Sequence, residues 1–142
     1  MEDKNNITLI FNTQITTCSL MFYQLKNIKE IDLSKFDTSN VTYMSSMFSG
    51  CSNLEKITFG NIQISSVLNI EPMFYGCTKL ISIDLSKFNT SKVTSMSYMF
   101  YGCSYLENIT FGKIITSKVT SMSYMFFGCY QLTSLDLSNF NT

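Results

Sequence analysis

The chain repeats one motif every 26 residues, and this period restricts its fold more than any other feature. Four Cys residues stand 26 positions apart, each directly after a Gly, at Cys51, Cys77, Cys103 and Cys129. We therefore predict a single repeat domain over residues 1–142. Residues 1–14 form a leader or N-terminal cap, and the units span about 15–40, 41–66, 67–92, 93–118 and 119–142, with the last one truncated.

Each unit predicts a short strand followed by a turn or a short helix. Apolar and polar residues alternate over Ile83, Asp84 and Leu85, as in a strand with one buried face. The following Met and Phe residues are spaced as on a turn of helix, with Ser97 as its N-cap and Gly102 as its left-handed end. Pro72 falls at the first helical position of its own unit.

A unit of this size buries its apolar face only by stacking on its neighbours. The spacing Leu80-x-x-Ile83-x-Leu85 matches the leucine-rich-repeat pattern, but Phe88 stands where that pattern has Asn or Cys. The sequence thus predicts a leucine-rich-repeat-like solenoid of five 26-residue units. A parallel β-sheet forms one face, and short helices or turns form the other.

The strings LDLSNFNT at 135–142 and FDTSNVTYMSSMFSGCSNL at 36–54 carry a family resemblance. They resemble the BspA-like leucine-rich surface-protein repeats, in the version of the mycoplasma lipoprotein-associated repeats. The resemblance implies a right-handed solenoid, a location at the cell surface or outside the cell, and a role in binding or adhesion. It implies no catalytic residues.

A second period lies inside the first. The strand segments alternate between IDLSKF, at Ile31 and Ile83, and ITFGNI or ITFGKI, at Ile57 and Ile109. Similarity is therefore strongest at 52 residues, which indicates duplication of a two-unit block.

Composition excludes several functions. The chain has no His, Trp, Ala or Arg, and its net charge is zero. Catalysis by His and zinc ligation by His are excluded, and nucleic-acid binding is not expected. We expect no enzyme activity, no cofactor and no metal site. No apolar run approaches the roughly 18 residues of a membrane span, so direct membrane insertion is not expected. A signal peptide is not visible, so a cytoplasmic location or a fragment of a longer protein stays open.

The outward positions of the strands form the first candidate site, an interaction strip. The alternative is a solvated sheet face whose charges are spaced apart. The strip consists of Asp32, Thr58, Asp84, Thr110, Asp136, Lys56 and Asn108.

Aromatic residues on the opposite wall form the second candidate site, an aromatic patch for a protein or glycan partner. The alternative is half-burial of these rings between adjacent units. The patch consists of Tyr75, Tyr98, Tyr101, Tyr124 and Phe127.

The Cys column and the Met columns predict core packing, because each occupies an inward position of every unit. Disulfides between neighbouring units are the alternative for the Cys residues. At the ends, Ile7, Leu9 and Phe11 predict a degenerate first strand. The strand from Leu135 to Leu137 leaves an uncapped edge, which predicts a longer natural chain or end-to-end self-association.

We therefore expect a non-catalytic surface module that binds a protein or glycan partner through a face built by the repeat. The alternative function is a structural spacer that displays another domain of a longer chain.

Overall fold

The computed structural model describes residues 14–60 and 62–140, and within these ranges the chain forms four short strands. They are β1 (Glu30–Leu33), β2 (Lys56–Phe59), β3 (Ser82–Asp84) and β4 (Asn108–Thr110). Each lies at the predicted place in its unit, with one apolar side chain turned inward between two exposed polar ones. The first strand expected at Ile7, Leu9 and Phe11 lies outside the described residues.

The strands pair in parallel at the spacing of the repeat. Ile31 of β1 lies opposite Ile57 of β2, and Ile83 of β3 lies opposite Ile109 of β4. The expectation of one sheet through all units was wrong: the described strands form two separate two-stranded sheets. The strand expected at Leu135–Leu137 also does not form, since these residues join neither sheet.

The division into two sheets follows the 52-residue period. In each sheet, the first strand segment leads into a Ser, at Ser34 or Ser86, and the second leads into a Gly, at Gly60 or Gly112. A Cβ atom at Gly60 would lie 2.1 Å from the carbonyl oxygen of Ser34, and one at Gly112 would lie 2.6 Å from the Cα atom of Ser86. Only Gly permits this approach of two backbones. Between β2 and β3 the order is reversed, with Gly60 before Ser86, and after β4 it is reversed again, with Gly112 before Ser138. At both of these places the described chain forms no β-ladder.

Six-residue runs of turns, at 19–24, 45–50, 71–76, 97–102 and 123–128, form the wall opposite the strands, named here the turn wall. The short helices expected here are absent from the described residues. The left-handed backbone predicted at Gly102 is present, with φ at 73°. A second residue in the same run, Tyr98, is also left-handed, with φ at 58°. Two left-handed residues four positions apart prevent a right-handed helix, and this explains the correction.

Phe rings, one from each unit, lie face to face in the core. Phe48 stacks on Phe74 with ring centroids 5.4 Å apart, and Phe74 stacks on Phe100 at 5.3 Å. Phe22 and Phe126 extend this stack at its two ends, at 5.4 Å and 5.9 Å. Equivalent residues of successive units therefore contact one another directly.

Inward-facing sulfur residues complete the core. Met44, Met47, Met73 and Met96 are fully buried, as the Met columns predict. The Cys residues are free thiols, and Cys129 is half-buried while the other four are buried. Core packing of the Cys residues is thus confirmed, and the disulfide alternative is not realised.

Candidate interaction surfaces

The interaction strip is exposed along both sheets. The pairing register places Asp32 opposite Thr58, and Asp84 opposite Thr110. Lys56 and Asn108 are exposed two residues before these Thr residues, and Asp136 is exposed in the last unit. Because no strand forms at Asp136, the strip is divided and not continuous.

The carboxylates of the strip make local contacts. The backbone N–H of Ser34 donates to Asp32 Oδ1 at 2.8 Å, and that of Ser86 donates to Asp84 Oδ1 at 2.8 Å. The same bond joins Ser138 to Asp136 at 2.9 Å. Each Asp therefore closes a turn at the end of its strand segment, which is a structural role that the sequence analysis did not assign.

These hydrogen bonds hold the Asp side chains in the charged form. The backbone N–H and then the hydroxyl of Ser34 lower the pKa of Asp32 below its ordinary value. The hydroxyl and backbone N–H of Ser86 do the same to the pKa of Asp84. A lowered pKa is the opposite of what a general acid needs at neutral pH.

A shallow cleft of about 200 Å³ lies where the two sheets separate. Thr58 and Asp84 border it with Lys87, and its floor is apolar. The cleft brings together two residues of the strip from different sheets. These two strip residues therefore share a concave surface.

The residues of the aromatic patch form two stacked columns on the turn wall. In the first column, Tyr101 lies between Tyr75 and Phe127, with ring centroids 4.9 Å and 5.0 Å away. In the second, Tyr98 and Tyr124 stack at 5.3 Å. Tyr98 also meets Tyr101 at 5.8 Å, so the two columns touch. The five predicted residues therefore form one continuous surface.

The five rings differ in their exposure. Tyr124 is 58% exposed and Phe127 is 55% exposed, while Tyr75 and Tyr98 are about 40% exposed, at 41% and 40%. Half-burial between units therefore describes Tyr75 and Tyr98 but not the more exposed Tyr124 and Phe127. Each ring has at least one face covered by a neighbouring ring, and every residue of the patch is at least partly exposed.

A groove of about 570 Å³, which was not predicted from the sequence, lies beside the second column. Its walls are Pro72 and Tyr98, and Glu71 supplies its one carboxylate. The hydroxyl of Ser95 donates to Glu71 Oε2 and lies 3.1 Å from the hydroxyl oxygen of Ser97. The remaining lining residues are Ser45, Asn69 and Ser121.

Pro72 explains why the groove lies in this unit. At the equivalent position of two other units, Leu20 donates its N–H to the Ser45 carbonyl at 3.0 Å, and Tyr98 donates to the Ser123 carbonyl at 2.9 Å. Ser46, in the unit before Pro72, makes no such bond to a described residue. Pro72 has no N–H to donate to the Ser97 carbonyl, so the backbone ladder opens here. The signal was available in the sequence, since Glu71-Pro72 departs from the Ser column of the other units.

The buried thiols link successive units by hydrogen bonds. Cys77 Sγ donates to the carbonyl oxygen of Phe48 at 3.1 Å, and Cys103 Sγ donates to that of Phe74 at 3.1 Å. Burial raises the pKa of Cys18 and of Cys129 to about 11. These thiols are therefore uncharged at neutral pH and are poor nucleophiles.

Two further features of the described residues concern a membrane span and a metal site. No helix within 14–60 and 62–140 is long and apolar enough to cross a bilayer. The same residues contain no group of three or more Cys, Asp or Glu side chains that could hold a metal ion.

Comparison with known proteins places the chain in a family. No curated protein and no solved structure matches it. A family model described as Mycoplasma protein of unknown function, DUF285, matches residues 2–110 and, in a second match, residues 72–142. The two matches together leave only the first residue uncovered. The chain therefore belongs to this family of mycoplasma-type repeat proteins, DUF285.

Proposed function

We propose that the five units stack as a solenoid and that this solenoid is a non-catalytic interaction module. The register of the strands supports the stacking, because each pair joins residues 26 positions apart. Isolated bridges two residues before the runs of the turn wall repeat the same offset, and they join Thr17 to Tyr43, Tyr43 to Asn69, and Ser95 to Ser121. The Phe stack in the core supports it as well.

The observation that carries the binding role is the exposed aromatic patch. Tyr residues are enriched at the centres of protein interfaces, because their rings bury much area at a low cost in side-chain entropy. Tyr124 and Phe127 together expose more of their side chains than they bury. Rings of this kind usually turn inward, and a contiguous exposed set marks an interaction site.

A protein partner fits this surface better than a glycan. A sugar ring stacks on an open aromatic face, but both faces of Tyr101 are covered by Tyr75 and Phe127. At Tyr101, the ring edge and the hydroxyl are what remains for a partner, and such groups contact apolar and polar side chains of a protein equally well. The surface location follows the resemblance to BspA-like repeats and belongs to the same proposal.

The test is binding to immobilised panels of extracellular proteins and of glycans. A triple variant with Tyr98→Ser, Tyr124→Ser and Phe127→Ser removes the exposed rings. A control variant with Asp32→Asn and Asp84→Asn alters the strip and leaves the patch intact. Circular dichroism confirms that both variants are folded.

We expect binding to at least one protein, weakened by about tenfold or more in the triple variant and unchanged in the control. A structural spacer predicts no ligand in either panel. Binding that depends on the strip variant and not on the aromatic variant would move the interaction face to the strands.

A further inference from the structure

The groove beside Tyr98 offers hydrogen-bond acceptors and one negative charge. The carboxylate of Glu71 forms no ion pair with any described residue, and no Lys lines the groove. Its hydrogen-bond donor is the hydroxyl of Ser95. A carboxylate accepts up to about four hydrogen bonds, so most of its capacity is open.

Two backbone carbonyls add to this set. In the units where the ladder is intact, Met44 and Met96 donate to the carbonyls of Asn69 and Ser121, at 3.2 Å and 2.9 Å. The equivalent carbonyl, that of Ser95, receives no such bond from a described residue. The carbonyl of Ser97 also receives none, because Pro72 has no N–H. Both residues line the groove, which therefore has unsatisfied acceptors next to a carboxylate.

Tyr98 adds an aromatic wall. Tyr124 covers one face of its ring at 5.3 Å. Pro72 precedes Tyr98 in the same column of the repeat, and both residues line the groove. An aromatic face beside a carboxylate attracts a cation, because the negative face of the ring and the carboxylate act together.

We infer that this groove binds the ammonium group of a lysine side chain on a protein partner. An ammonium has three donors and no acceptor, which matches a carboxylate and open carbonyls. The four-carbon stem of the lysine lies along the wall formed by Pro72 and Tyr98, and its charge pairs with Glu71. The inference deepens the proposed function and rests on it, since the groove continues the aromatic patch toward the Glu71 unit.

The test is a titration followed by the amide ¹H–¹⁵N spectrum of the whole chain. The probe is Nα-acetyl-lysine N-methylamide, and its control is the uncharged norleucine analogue with the same alkyl chain. Glu71→Gln removes the charge and keeps the shape of the side chain. Glu107→Gln is the matched control, because Glu107 is exposed and lies outside the groove.

We expect saturable shifts at the amides of Ser95 and Ser97 with the lysine probe, in the wild type and in Glu107→Gln. Glu71→Gln weakens this binding by about tenfold or more, since a charged hydrogen-bonded pair is lost. Tyr98→Leu weakens it by about threefold through loss of the ring face. Leu is tolerated at this left-handed position, as Leu20 with φ at 61° demonstrates.

Equal binding of the norleucine analogue, or unchanged binding in Glu71→Gln, overturns the inference. So does the absence of saturable shifts up to about 50 mM, well above the millimolar range of a single weak contact. If the inference fails while the triple aromatic variant still loses its protein partner, the proposed function stands without the groove. If lysine binds but the aromatic variant keeps its partner, the proposed function fails and the groove is a separate site.

Discussion

Thr38 contacts Gln63 of the next unit through two hydrogen bonds. The Thr38 hydroxyl donates to the Gln63 carbonyl oxygen at 3.0 Å, and the backbone N–H of Gln63 donates to the hydroxyl oxygen at 2.8 Å. Thr90 makes the same pair of bonds with Ile115, at 2.7 Å and 2.8 Å. Both Thr residues are buried. Each pair of hydrogen bonds joins the two units of one two-unit block.

Thr38→Val is therefore expected to destabilise the fold by about 2 kcal/mol. It removes both bonds and leaves two backbone groups of Gln63 without these partners, at about 1 kcal/mol for each bond. Thr42→Val is the control, because the Thr42 hydroxyl makes one longer bond of 3.2 Å to Thr16 at the surface. Urea unfolding measures the difference, and equal stability of the two variants would contradict a clamp within the block.

The Gly residues at the two kinds of unit junction are expected to differ in their tolerance of Ala. A Cβ atom at Gly76 meets nothing closer than 3.9 Å, whereas one at Gly112 meets the Ser86 backbone at 2.6 Å. Both have positive φ, at 68° and 58°, so both pay the strain of about 1 kcal/mol. Gly112→Ala should cost about 2 kcal/mol more, since the backbones must separate.

Thermal or urea unfolding of the two Ala variants checks this order. A similar loss in Gly76→Ala and Gly112→Ala would mean that the close approach inside the block contributes nothing. It would also remove the physical reason given for the division into two sheets.

Much of this fold could be predicted because the repeat makes local patterns agree. The strand at Ile83 follows from alternation, and the left-handed Gly102 follows from its place after a turn. The 52-residue period predicts the two-unit block. Its effect on the sheets depends on how closely the backbones of Ser34 and Gly60 approach each other, and sequence spacing does not reveal this distance. The helices were wrong because left-handed Tyr98 has no sequence signature.

The candidate sites were predicted unevenly for related reasons. Exposure of the aromatic patch follows from residues that do not fit the inward pattern, such as Tyr124. Glu71-Pro72 departs from the repeat in the sequence, but the opening of the backbone ladder at Pro72, on which the groove depends, is visible only in the structure. The turn-closing role of Asp84 required the geometry of its bond to Ser86.

The raised pKa of the buried Cys thiols predicts that the fold loses stability at alkaline pH. Burial raises the pKa of Cys129 from 9.0 in the unfolded chain to about 11 in the folded one. Between these values the unfolded chain releases a proton that the folded chain keeps, so the free energy of unfolding falls as pH rises. Cys129→Ser removes this contribution and retains a hydroxyl that can donate to the Phe100 carbonyl.

Urea unfolding of the wild type and Cys129→Ser between pH 8 and about 11 tests this. The wild type should lose more stability than the variant over this range. Parallel curves would show that the thiol has the same pKa in both states.

Acid pH is expected to act through the turn-closing carboxylates. Hydrogen bonds from Ser86 lower the pKa of Asp84 below 3.8, so its contribution to stability is complete above that value and is lost as pH falls through the lowered pKa. Asp84→Asn keeps a turn-closing oxygen, as Asn89 demonstrates with its bond of 3.1 Å from Ser91. The variant should lose less stability than the wild type on acidification from about pH 5 to pH 2. Identical acid-unfolding curves would argue against the bond.

Ring-to-ring nuclear Overhauser effects test the stacking of the units most directly, and the binding proposals depend on that stacking. Cross-peaks are expected between Phe48 and Phe74, whose centroids are 5.4 Å apart, and between Tyr75 and Tyr101, at 4.9 Å. Residues 52 positions apart, such as Phe48 and Phe100, should give none. Cross-peaks between Phe48 and Phe100, or their absence between Phe48 and Phe74, would contradict the stacked repeat and the aromatic surface built on it.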